Sequence, residues 1–122
     1  MAGVTTIDFD HPDETRNFTH GQVDIVRVEP SSIARLSLQP GWHWAEDVKP
    51  IAGTETCQVR HVGYMVSGRM RVTMADGTQL DIGPGDSYVI EPGHDAEVVG
   101  GEQVVALEFA TAAVETFAKT AS

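Results

Sequence analysis

The chain has 122 residues, 41% hydrophobic and 21% charged, which is material for one domain with one core. Eight basic against eighteen acidic residues give a net charge of −10. Such a surface repels nucleic-acid phosphates and anionic headgroups and favours solubility. No stretch approaches the roughly 18 apolar residues of a membrane-spanning helix. The first residues also lack the basic-then-apolar pattern of a secretory signal. The single cysteine, Cys57, has no internal disulfide partner and suits a reducing compartment, so the cytoplasm is expected.

In chain order, residues 1–20 read as an acidic, irregular arm that packs on the outside or frays, with His11 and His20 solvated. Val23–Val28 and Ile33–Leu38 alternate apolar and polar positions as strands do. From residue 57 onward, turns recur at Ser67-Gly68, Asp76-Gly77, Gly83-Pro84-Gly85, Pro92-Gly93 and Gly100-Gly101. They bound β-rich segments at Val59–Val66, Met70–Met74, Thr78–Ile82, Ser87–Ile90, Ala96–Val99 and Val104–Phe109. Short strands without a long helix bury their apolar faces against one another, so an all-β jelly-roll barrel is expected over 21–110. Val114, Phe117 and Ala118 fall at helical spacing and predict a short helix or tail over 111–122.

The chemistry is sought inside that barrel. On a strand running through Cys57 to Tyr64, residues two apart share a face, so Glu55, Cys57, Val59 and His61 are expected on one side. A carboxylate, a thiol and an imidazole buried together need partners, and a divalent metal is an efficient one. By strand rise Cys57 and His61 stand over ~12 Å apart, so a direct Cys/His dyad is not expected. His94 follows a tight Glu91-Pro92-Gly93 turn and points back to the same mouth. His43 sits between Trp42 and Trp44, aromatic walls beside a polar handle. The sequence contains neither a Gly-x-Ser-x-Gly elbow nor a Gly-x-x-x-x-Gly-Lys phosphate loop.

The run from Gly41 to Gly68, followed by Gly85 to His94, resembles the two motifs of the cupin superfamily. Counting back from Gly68 places His61 where that family carries glutamate, and Cys57 and Glu55 on its two histidines. In the second motif Gly85 and Gly93 match, Glu91 replaces the proline, and Ala96 stands at the last histidine. The Gly41–Trp44, Cys57–His61 and Pro92–Ala96 runs are also similar to a set of small single-domain cupins. The resemblance implies a double-stranded β-helix, and a homodimer formed through an edge strand.

Two functional readings follow. In the first, a metal-dependent enzyme of oxygenase, isomerase or lyase type binds a small molecule in the barrel. His61, His94, Cys57 and His43 are then the candidate ligands for zinc, iron or copper. Glu55 is a ligand or general base, and Trp42, Trp44 and Tyr64 wall the pocket. In the second, a metal-free barrel binds or senses a small molecule without turnover.

Overall fold

The computed structural model describes residues 3–28 and 31–109. The helix or tail expected over 111–122 lies outside the described residues. Among the described residues nine strands form two antiparallel sheets. The larger has the order β1-β2-β3-β9-β4-β7, and the smaller β6-β5-β8. The strands are β1 Glu14–Phe18, β2 Gly21–Val28, β3 Ser31–Leu38, β4 His61–Ser67, β5 Met70–Met74, β6 Gln79–Ile82, β7 Ser87–Ile90, β8 His94–Val98 and β9 Val104–Phe109. Two single-turn helices, α1 Trp44–Asp47 and α2 Lys49–Ala52, interrupt the sequence between β3 and β4. Expected and observed strands agree residue for residue at β5, β7 and β9 and to within about two residues at β2, β3, β4, β6 and β8, while β1 was not expected.

Period-two patterning explains the core. Ala34, Leu36 and Leu38 of β3, Val104 and Ala106 of β9, and Met65 of β4 are buried on the inner face of the larger sheet. Met70, Val72, Ala96 and Val98 oppose them from the smaller sheet. The fold is thus the all-β jelly roll, with its interior between the two sheets. The stretch read as an irregular arm contributes a strand at its end, since Glu14–Phe18 pairs in register with Gly21–Ile25. The rest packs outside: Arg35 lies over the Phe9 ring at 5.2 Å and binds Asp24 at 3.0 Å. Asp24 is 2% exposed and also accepts bonds from Thr15 and Gln22, so this buried carboxylate is paired.

The largest departure from expectation lies between residues 41 and 60. β4 begins at His61, so Cys57–Arg60 is not its N-terminal half. The segment instead touches β8 twice through isolated bridges, His43 with Glu97 and Cys57 with His94, and between them it folds into α1 and α2. Period-two parity therefore stops at His61, because it holds only along a continuous strand.

Candidate metal centre

Three elements bring three donors together. His61 opens β4, and its backbone register pairs it with Ile90 on β7. The Glu91-Pro92-Gly93 turn then reverses the chain, with Gly93 at φ 93°, a conformation that side chains with a Cβ rarely adopt. His94 follows at the start of β8. Cys57 is fixed beside it by a backbone pair, in which Cys57 N–H donates to the His94 carbonyl at 2.8 Å and Gly93 N–H donates to the Cys57 carbonyl at 2.8 Å. Cys57, His61 and His94 are all buried, and their ligand atoms lie within 4.8 Å of one another. The Cys57 Sγ to His61 Nε2 distance is 3.6 Å. The expectation of a separation over ~12 Å fails because the chain between them bends instead of extending.

The imidazoles are oriented from behind. His61 Nδ1–H donates to Glu108 Oε1 at 2.7 Å, and His94 Nδ1–H donates to the Glu91 carbonyl at 2.6 Å. Both acceptors fix the tautomer and leave Nε2 as the nitrogen facing the thiol, an arrangement typical of metal-ligating histidines. The rings meet edge to face, with centroids 5.2 Å apart. Tyr88 Oη–H donates to Glu108 Oε2 at 2.7 Å, so both carboxylate oxygens are engaged. Burial disfavours charge on His61, but the Glu108 carboxylate and Cys57 outweigh it and hold its pKa up at about 10. Burial likewise raises the Cys57 thiol, yet His61 and His94 win and bring it down to about 6. Burial and Glu108 together push Tyr88 upward, so it stays a phenol. The thiol is thereby poised to act as a thiolate, the form that binds metals.

The cavity beside these donors is about 20 Å³, walled by Leu36, Leu38, Trp42, Trp44, Met70 and Ile90 among others. That volume admits a water molecule and is far below the roughly 300 Å³ at which organic-ligand pockets begin. Trp42 is 3% exposed and its Nε1–H has no hydrogen-bond partner among the described residues. The three residues could hold a metal: two imidazole nitrogens, a thiolate, satisfied outer partners and space for one further small ligand all fit.

Other expected site residues lie elsewhere. Glu55, expected as ligand or base, is 92% exposed and bonds Lys49 at 2.7 Å. The Lys49 ammonium holds its carboxyl below the usual range, so it is neither base nor ligand at this centre. Tyr64 is 40% exposed and walls no interior cavity, since even-numbered residues of β4 face outward. His43 turns away to Asp95, Nε2 to Oδ2 at 2.6 Å, and is not among the clustered donors. His20 is not simply solvated, for its Nδ1 meets Asp47 Oδ2 at 3.0 Å. Trp42 and Trp44 do line the interior cavity. Sequence reasoning missed Glu108 and Tyr88. The available signal was a carboxylate on the inward parity of Val104 and Ala106, and a tyrosine on that of Ile90.

A family model described as the EutQ-like cupin domain matches residues 42–119, more than half of the chain. The chain belongs to that family. Solved structures give the same fold. The polyketide cyclase RemF from Streptomyces resistomycificus superposes with a TM-score of 0.61 at 15% identity, over 88% of this chain and 79% of that one. A sugar phosphate isomerase of the cupin superfamily from Silicibacter pomeroyi gives 0.60 at 13% identity, over 88% and 75%. Oxalate decarboxylase from Lactobacillus farciminis gives 0.55 at 22% identity, over 80% of this chain but only 30% of that one. The present chain thus spans under a third of that enzyme. A comparison with curated protein sequences gives no match. At these identities the likeness establishes the fold and leaves the chemistry to the site. Among the described residues no helix is long and apolar enough to cross a membrane.

Proposed function

We propose that this cupin domain is a metal-dependent enzyme whose Cys57, His61 and His94 hold one transition-metal ion, with zinc favoured by the thiolate-imidazole donor set. The observation that carries the reading is the pair of outward Nδ1–H bonds, to Glu108 and to the Glu91 carbonyl, which aim two Nε2 atoms at one thiol. Zinc held by Cys57, His61 and His94 would supply Lewis-acid chemistry and would lower the pKa of water. Glu108 positions His61, with its second oxygen held by Tyr88. Trp42 and Trp44 wall the cavity beside the donors. The apolar walls exclude bulk water and so strengthen each of these bonds.

The structural neighbours, a decarboxylase, a cyclase and an isomerase, support lyase or isomerase chemistry on a small molecule. A thiolate ligand suits a reducing cytoplasm. A homodimer is proposed from the family resemblance, with light scattering as its check.

Protein purified without a histidine tag and analysed for metals tests the centre. About one equivalent of zinc is expected, falling below about a tenth in Cys57→Ser and His94→Ala, as the loss of a ligand demands. Wild-type protein that neither carries nor takes up zinc, iron or copper overturns the reading.

A second reading has its own observation. Sγ to Nε2 at 3.6 Å and Nδ1 to Oε1 at 2.7 Å make Cys57, His61 and Glu108 a nucleophile, base and orienter. Burial of all three, with an adjoining cavity of only about 20 Å³, weighs against attack on a substrate. The cavity weighs equally against the metal-free barrel that binds an organic ligand inside. Metal-free protein that turns over an ester with Cys57 acylated would install the nucleophilic reading instead.

A further inference from the structure

The residues walling the interior cavity are all buried, which poses a problem of access, and the wall of the barrel offers a route. β6 is an edge of the smaller sheet and β7 an edge of the larger, and residues of both line one groove of about 590 Å³. That volume is within the range of organic-ligand pockets. Its floor is apolar and includes the buried Val72, Ile82 and Ile90, and Leu80 stands on the rim at 69% exposed. Asp81, Asp86 and Glu91 border it, and neither Lys nor Arg is among its lining residues. Asp81 is held by Arg71 and Glu91 by Arg60, each at 2.8 Å, so these cations are already engaged. An anion entering here meets carboxylates without a lining cation to offset them.

Ile90 is the one described residue that borders both this groove and the interior cavity. Its ladder partner is His61, and the carbonyl of the next residue, Glu91, orients His94. A single aliphatic side chain on an edge strand thus stands between a ligand-sized groove and the three donors. Edge strands with one ladder partner open more readily than central ones.

We infer that the groove between β6 and β7 receives a largely apolar, non-anionic organic molecule, and that Ile90 is the partition through which its reacting end reaches Cys57, His61 and His94. The inference rests on the metal-centre reading for its chemistry, though the route itself is tested without metal. Cys57 is the sole cysteine, so its alkylation in metal-stripped full-length protein, followed by mass spectrometry, reports access. Ile90→Ala joins the two spaces and is expected to speed modification by uncharged iodoacetamide at least about tenfold, with a smaller gain for anionic iodoacetate. Leu36→Ala borders the interior cavity alone and is expected to leave the rate within about twofold, which separates a new passage from general loosening. Leu80→Trp added to Ile90→Ala, by filling the rim, returns the rate toward wild type.

For the ligand class, the uncharged dye Nile red is expected to bind wild-type protein one to one and to be lost in Leu80→Asp. An unchanged rate in Ile90→Ala, an equal acceleration in Leu36→Ala, or wild-type protein indifferent to Nile red overturns the inference. Metal content measured on the same preparations before stripping keeps the two readings apart. Protein that holds its ion while Ile90→Ala changes nothing loses the route and retains the centre. Protein without metal whose Ile90→Ala is accelerated loses the centre and retains the route.

Discussion

Glu108 shows how one residue sets the behaviour of a whole site. Its carboxylate is 2% exposed, which would be costly without partners, and it has two: His61 Nδ1–H and Tyr88 Oη–H. Glu108→Gln keeps the shape but removes the charge, and its single carbonyl oxygen cannot serve both donors as the carboxylate does. Zinc affinity measured by competition with a chromophoric chelator is expected to fall about 10- to 100-fold, the usual cost of losing an outer partner, while the fold persists. Glu108→Ala goes further and strands two buried donors at about 1–3 kcal/mol each, so its melting temperature falls as well. Neither effect follows from inspecting residue 108 in the sequence, because 47 positions separate it from His61. Only its inward parity on β9 marked it out.

At the scale of elements, β4 must pass between β7 and β9, and Gly63 makes that passage possible. A Cβ placed there would lie 2.6 Å from Tyr88 Oη and 2.5 Å from the Leu107 carbonyl oxygen, distances no real contact tolerates. Gly63→Ala is therefore expected to lose about 1–3 kcal/mol, as overpacking does, and to detach Tyr88 from Glu108. Chemical denaturation measures the first effect, and the Tyr88 ring signal in a carbon-detected spectrum measures the second.

The 43–57 segment is tied down differently, by His43 on Asp95 at 2.6 Å and by Asp47, which accepts bonds from His20 and from the His43 backbone. Burial lowers the His43 pKa, but Asp95, with Glu97 and Glu46 behind it, prevails and raises it above 6.5. A raised histidine contributes stability that is complete below the unfolded value and is lost as pH climbs through the folded one. The melting temperature of wild type relative to His43→Gln should be highest below about pH 6.5 and decline above it. A difference that grows with rising pH would contradict the pairing. The side chain is about a third exposed, so solvent weakens the effect.

The elements themselves were largely legible. β5 and β7 are each bounded by glycine-containing turns and β9 is preceded by one, so local rules suffice for them. Residues 41–60 were not, since no alternation fixes a segment that makes single bridges and two helical turns. The inward placement of Glu55 and the distance assigned to Cys57 and His61 both failed there, for the one reason that the strand assumed to continue does not.

For the molecule as a whole, the centre joins parts distant in sequence. Cys57 comes from the helical insertion, His61 from the larger sheet and His94 from the smaller one. An ion bound there ties the two sheets together and is absent from the unfolded chain, so binding adds directly to folding stability. With free zinc at about a thousand times Kd the gain is about 4 kcal/mol. Chelation by a strong ligand should accordingly lower the melting temperature by roughly 10 °C or more, measured by calorimetry. Cys57→Ser should melt at one temperature with or without chelator. A wild type whose melting ignores chelator would show that no ion bridges the sheets.

The amino-acid order by itself determined the strand-and-turn rhythm, the single core, the acidic surface and the residue types of the site, because those depend on neighbours one to four positions apart. The tertiary structure alone decided which side chains meet. Cys57 reaches His94 through a backbone bridge, Glu108 and Tyr88 enter behind His61 across two ladders, and His43 and Glu55 leave the centre for Asp95 and Lys49. It also decided that the cavity beside these donors has room for little beyond an ion and a water. The physical reason is that contacts across strands are set by register and by the closing of two sheets on each other, and neither is encoded in any short stretch of chain.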